Sequence, residues 1–196
     1  MPPRRRPRAA ASRGRVFVLS GPSGGGKTTV VQRLRRILPW LARSVSVTTR
    51  PPRAGERGAR AYRFVSPAAF RRLRREGKLL EWARVHDAWY GTPRRPVLQA
   101  LAGGRDVVLS IDVQGARQVR RALGKRAVLV FLAPPSMAEL RRRLVRRRTD
   151  SPAVIRRRLA AARRELGCAA WYDHQVVNDR LARAVREVAA IVQRKG

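Results

Sequence analysis

Acidic residues are scarce in this chain, and so are cysteines, aromatics and long apolar runs. Only 12 Asp and Glu stand against 46 Lys and Arg, a formal charge of +34 over 196 residues. A polypeptide so basic is drawn to polyanions through the release of their counterions. Yet almost all of the basic residues are arginine, and they occur on nearly every predicted helix rather than in one patch. Nor do they alternate along the chain with aromatics, only 6% of it, as a stacking platform for single strands requires. Nucleic-acid binding is therefore expected to be non-specific if it occurs at all. The single cysteine, Cys168, excludes an internal disulfide and fits a reducing cytoplasm, where the chain is expected to act. It reads as a small buried side chain in a helix. No apolar run approaches the roughly 20 residues that span a bilayer, so no membrane partner is expected. The basic first 14 residues lead into no apolar core of a secretion signal.

What remains is enough for one folded domain: 44% of the residues are hydrophobic, and the length allows a full core but not two ordinary ones. Residues 1–14, rich in Pro, Arg and Ala, read as a disordered basic tail before a single domain over 15–196. Continuous apolar runs at 15–20, 106–111 and 127–132 have the character of central parallel strands. Shorter strands are expected at 45–49, 79–85 and 175–177. Helices are expected at 27–38, for about ten residues from Pro67, and at 113–123, 136–147, 152–166 and 181–194. Residues 50–60 are turn-rich and read as a loop. Strands alternating with helices make this an α/β fold with a parallel sheet.

Gly21-Pro22-Ser23-Gly24-Gly25-Gly26-Lys27-Thr28 fits the phosphate-binding pattern G-x-x-x-x-G-K-[ST], between a buried strand and an amphipathic helix. Glycines let successive N–H groups curl inward toward phosphate oxygens, and the helix adds its positive end. Lys27 can reach the β and γ phosphates, and the Thr28 hydroxyl can ligate Mg²⁺. The loop identifies nucleotide binding but is silent on the second substrate.

The following motifs resemble guanylate kinases in order and spacing over roughly residues 15–180. They are SVSVTTRPPRAGE at 44–56, YRFV at 62–65, EGKLLEWA at 76–83, WYGT at 89–92, IDVQG at 111–115, FLAPPS at 131–136 and VND at 177–179. The resemblance implies a three-layer P-loop NTPase-type fold that passes the γ-phosphoryl group of ATP to GMP with Mg²⁺. It divides the chain into a core (15–44, 93–135 and 163–196), a small GMP-binding subdomain (45–92) and a helical lid (136–162). Residues 21–29, Thr29 included, and Asn178 then fall on ATP. Arg50, Arg53, Tyr62 and Tyr90 fall on the acceptor phosphate, and Ser46, Glu81, Thr92 and Asp112 on or beside the base. Lys27, Arg143, Arg147 and Arg158 become the catalytic cations. Chemistry agrees with these roles. Planar guanidinium forks suit a dianionic phosphate, and a carboxylate accepts both the N1–H and 2-amino donors that guanine offers and adenine lacks.

Three departures accompany the resemblance. Ser110 stands where the family's Asp-x-Asp pair has its first carboxylate, which puts metal binding in question. Arg146 and Arg148 replace glycines flanking the lid arginine, and Trp89 replaces a common tyrosine. Two other readings stay open at this point: a related kinase of a phosphorylated sugar, and a weakly active guanylate-kinase-like protein that binds polyanions.

Overall fold

A computed structural model describes residues 14–52, 62–85, 87–146 and 150–194. Five parallel strands form the larger sheet: β1 (Val16–Ser20), β2 (Ala42–Arg43), β7 (Val107–Ser110), β8 (Ala127–Ala133) and β9 (His174–Val177). Their order is β2-β7-β1-β8-β9. Alternation along β1 shows why both faces must be covered. Phe17 and Leu19 join the core of one face, with Val30, Val31 and Leu34 of α1 (Lys27–Ile37) and Val185, Val188 and Val192 of α7 (Leu181–Gln193). Val16 and Val18 join the other, with Val97 and Leu101 of α3 (Arg94–Ala102) and Ala116 and Val119 of α4 (Val113–Leu123). The result is helix, sheet, helix, the three-layer arrangement expected from the strand–helix alternation. Each fully buried Val, Leu or Phe contributes about 1.5–3 kcal/mol to holding the layers together.

The chain leaves this sheet after β2 and builds a second one before returning at β7. β3 (Ser46–Thr48), β4 (Tyr62–Phe64), β5 (Leu79–Val85) and β6 (Ala88–Pro93) pair in the order β4-β3-β6-β5. One face is covered by α2 (Pro67–Arg75), whose Phe70 packs with Val47 and Leu79. Ser66 caps that helix by accepting the Ala69 N–H at 3.2 Å, and Pro67 sits in its first turn, as the sequence predicts. A third unit, α5 (Met137–Arg146) and α6 (Pro152–Leu166), closes on its own small core of Leu140, Leu144 and Ala162.

Four elements have no counterpart among the sequence expectations: β2, β4, β6 and α3. β2 and β4 are only two and three residues long, and β6 contains Gly91 and Pro93, which read as turn signals. α3 carries Pro96 within its first turn, a breaker in linear reading that the helix start tolerates. Two smaller expectations need correction. Gly14, assigned to the tail, is buried; its N–H donates to Leu101 O at 3.3 Å, and a Cβ there would lie 2.3 Å from Arg105 O. Cys168 lies just past the end of α6, partly exposed, because Gly167 ends the helix there. The rest of the tail, Arg53 and most of the 50–60 loop, and Arg147 and Arg148 lie outside the described residues.

Candidate active site

The phosphate-binding loop turns between β1 and α1 at the C-terminal edge of the large sheet. Gly26, the N-cap of α1, takes a left-handed conformation with φ 95°. A Cβ there would come within 2.3 Å of Asn178 Nδ2, so both backbone angle and space require glycine. Asn178 follows β9 and is buried. Its amide donates to Gly25 O at 2.8 Å, bracing the loop from the end of β9. Lys27 Nζ folds back on its own loop, donating to Gly21 O at 2.5 Å and Pro22 O at 3.0 Å. Thr28 and Thr29 stand exposed at the helix's positive end, with Ser23 and Gly24 partly exposed ahead of them.

Arg143 of α5 reaches the same region. Its Nε donates to Glu139 Oε1 at 2.7 Å, and its guanidinium to Asn178 O at 2.8 Å. The Asn178 residue therefore touches the phosphate loop through its side chain and Arg143 through its backbone. Arg158 of α6 is paired with Asp150 at 3.0 Å, the two side chains only 10% and 8% exposed. Such a pair fixes Arg158 in a low-dielectric pocket of the α5–α6 unit.

Register in the small sheet gathers a second group. Glu81 pairs with Thr92, Thr48 with Tyr90 and Phe64, and Ser46 with Tyr62. Since paired residues share a face and alternate along a strand, Ser46, Tyr62, Glu81, Tyr90 and Thr92 all lie on the face opposite α2. Tyr62 and Tyr90 meet edge-to-face at 6.0 Å, and the Arg50 guanidinium lies 5.7 Å from the centre of the Tyr62 ring and 5.6 Å from that of Phe64. That stack aims a fixed cation at the face.

Glu81 is 3% exposed and accepts a 2.6 Å hydrogen bond from Thr92 Oγ1. The neighbouring α4 starts at Asp112, whose carboxylate accepts from Gly115 N at 2.8 Å. A Cβ on Gly115 would lie 2.4 Å from Glu81 Oε2, so any larger residue would push the carboxylate aside. Burial raises the Glu81 carboxyl to about 8, the Thr92 hydroxyl opposing and the nearby Asp112 charge adding to the rise. Burial also raises Asp112, against its hydrogen bond to Gly115 and the charge of Lys27. Burial and the influence of Asp112 on Glu81 disfavour ionising both carboxyls together, and a cationic or hydrogen-donating ligand relieves them. Asp112 also links the two groups, because it senses both Glu81 and Lys27.

The family profile described as "Guanylate kinase" matches residues 13–195. The chain belongs to the guanylate kinase family. It is 54% identical over 177 residues to a guanylate kinase of Oleidesulfovibrio alaskensis, covering 90% of this chain and 85% of that protein. To one of Thermobifida fusca it is 53% identical over 178 residues, covering 91% and 90%. The crystal structure of guanylate kinase from Anaplasma phagocytophilum superposes with a TM-score of 0.78 at 34% identity, covering 93% of this chain and 86% of that one. The P-loop NTPase-type α/β fold expected from the resemblance is thereby confirmed.

Guanylate-kinase motifs led to most of these positions and included Gly115 without giving it a role, but did not lead to Glu139 or Asp150. A signal for these two was present: with 12 acids in the chain, a carboxylate four residues before Arg143 or eight before Arg158 is unlike its surroundings. Ser110 ends β7 beside Leu19 of β1, so the departure at this position sits one strand from the phosphate loop.

Proposed function

We propose that the chain transfers the γ-phosphoryl group of ATP to GMP, giving ADP and GDP. The observation that carries this reading is Glu81, a buried carboxylate held by Thr92 on the same sheet face as Ser46, Tyr62 and Tyr90. Its two oxygens match the N1–H and 2-amino donors of guanine. An adenine offers no such donor pair and would leave the buried carboxyl without its partners. Ser46 and Asp112 border the base. Arg50, Arg53, Tyr62 and Tyr90 hold the acceptor phosphate. On this reading 45–92 is the acceptor-binding subdomain and 136–162 the lid.

On the donor side, residues 21–29 wrap the ATP phosphates and Asn178 fixes the loop that does so. Lys27 exchanges the carbonyls of Gly21 and Pro22 for phosphate oxygens. Arg143, Arg147 and Arg158 neutralise charge on the transferring group as α5 and α6 close, which also keeps water from acting as acceptor. Phosphoryl transfer requires little covalent help, so positioning and neutralisation carry most of the rate. The Thr28 hydroxyl and Asp112 carboxylate are hard oxygen donors at the loop, a set that fits Mg²⁺. When bound, Mg²⁺ supplies further neutralisation of the phosphate oxygens. Among the described residues no helix is long and apolar enough to cross a membrane, and we place the enzyme in the cytoplasm, acting on free nucleotides.

A coupled ADP-release assay with GMP, AMP, CMP and UMP as acceptors tests this. GMP-selective turnover is expected, abolished in Lys27→Ala and less selective in Glu81→Gln. Equal use of all four nucleotides, or of none, would overturn it.

A further inference from the structure

The face of the small sheet away from Glu81 gathers what the linear sequence keeps apart. Trp82 of β5 and Trp89 of β6 meet there at 5.6 Å, and Phe70 of α2 stacks on Trp89 at 6.0 Å. Over them lies Arg74, its guanidinium 4.7 Å from the centre of the Trp82 ring and 5.7 Å from that of Trp89. Both indoles remain partly exposed. Arg71, Arg72 and Arg75 stand exposed on the same helix, and Arg84, the cross-strand partner of Trp89, continues the row. Among the described residues no carboxylate lies within ion-pairing distance of the four helix arginines. The adjacent Glu76 is engaged by Lys78 at 2.6 Å.

Polyanions are the chemical class that such a surface fits, and a planar cation backed by indoles narrows the class further. Bases stack on guanidinium planes and aromatic faces, whereas a duplex keeps its base faces hidden. The row faces away from the nucleotide pocket, because Glu81 and Trp82 are consecutive strand residues on opposite faces. We propose that α2, with Trp82 and Trp89 beneath Arg74, is a binding surface for single-stranded nucleic acid, separate from the kinase site. Arg71, Arg72 and Arg75 contact phosphates and Arg74 stacks under a base.

Fluorescence anisotropy of a labelled oligothymidylate with the full chain, over a salt series, tests it. Two charge-matched variants are compared: Arg71, Arg72, Arg74 and Arg75 all changed to Gln, and Arg33, Arg35, Arg36 and Arg186 all changed to Gln on α1 and α7. Each single-strand phosphate contact contributes about 0.7 to the slope of log affinity against log salt. The α2 variant is expected to lose about 2 to 3 of that slope while keeping GMP turnover, and the control variant to lose little. Lys27→Ala is expected to bind as the wild type does, and Arg74→Lys, which keeps the charge and loses the plane, to bind several-fold more weakly at unchanged slope. Equal losses in the two charge-matched variants would show diffuse attraction by the net charge and overturn the proposal. An unaffected α2 variant, or a duplex or anionic vesicle bound as tightly as the single strand, would overturn it as well.

Discussion

Changing Glu81 to glutamine should flatten the pH dependence of GMP use. Burial holds this carboxyl at about 8, whereas on the proposed reading the guanine N1–H and 2-amino group need it ionised. Below that pH, GMP must therefore displace a proton to bind. At pH 7 only about one site in ten carries the charge, and each further unit down costs about 1.4 kcal/mol, or tenfold. Between about pH 6.5 and 8.5, kcat/KM for GMP should rise roughly twentyfold and level off at the upper end. The GMP phosphate contributes little to this rise, because its second ionisation lies near 6. KM for ATP should stay flat, since the loop does not touch Glu81. In Glu81→Gln the rate is lower throughout, and its slope in this window disappears. Stability carries the same signature with the opposite sign. From the ordinary carboxyl range up to about 8, the folded state keeps a proton that the unfolded chain has lost, so stability falls with rising pH. Below that range and above about 8 the two states match and the curve is level. A wild-type kcat/KM that does not change across the window, or a Gln variant that keeps the slope, would refute this account.

Gly115→Ala should raise KM for GMP at least tenfold with KM for ATP unchanged, since the added methyl falls on Glu81 Oε2; steady-state kinetics with each substrate varied decides it. Asp150→Asn strands Arg158 in its pocket and should destabilise the α5–α6 unit by about 3 kcal/mol, read as faster amide exchange confined to these helices. Ser110→Asp should raise turnover and lower the Mg²⁺ concentration needed for half-maximal rate, measured by titrating Mg²⁺ in the ADP-release assay; an unchanged Mg²⁺ requirement would mean that Asp112 alone suffices.

The donor half was legible in the sequence because its strands are buried on both faces. Such strands read as unbroken apolar runs, and the glycine-rich loop between the first of them and α1 carries its own fixed spacing. The acceptor half was legible mainly through resemblance. Its strands are short, and β6 is punctuated by Gly91 and Pro93, so periodicity is weak there. That Ser46, Tyr62, Glu81, Tyr90 and Thr92 share a face follows from register, a tertiary fact set by pairing across the loop between β3 and β4. Three further contacts were equally hidden. The Asn178 amide on Gly25 spans 153 residues of chain. Arg158 meets Asp150 across the N-terminal end of α6, eight residues away along the chain, and the Trp82–Trp89 pair reaches Arg74 only once α2 folds over the sheet.

The chain leaves the large sheet after Arg43 and rejoins it at Val107, and the whole four-stranded sheet is made in between. On the proposed reading, donor handling and acceptor choice occupy separate stretches, joined at two crossings and through α4, where Asp112 and Gly115 meet Glu81. Substitutions within the excursion can retune which nucleotide is accepted while the phosphate loop and its brace stay as they are. Evolution has in this arrangement an exchangeable cartridge on a fixed engine, and the residues at the α4 seam are the ones that any new cartridge must still fit.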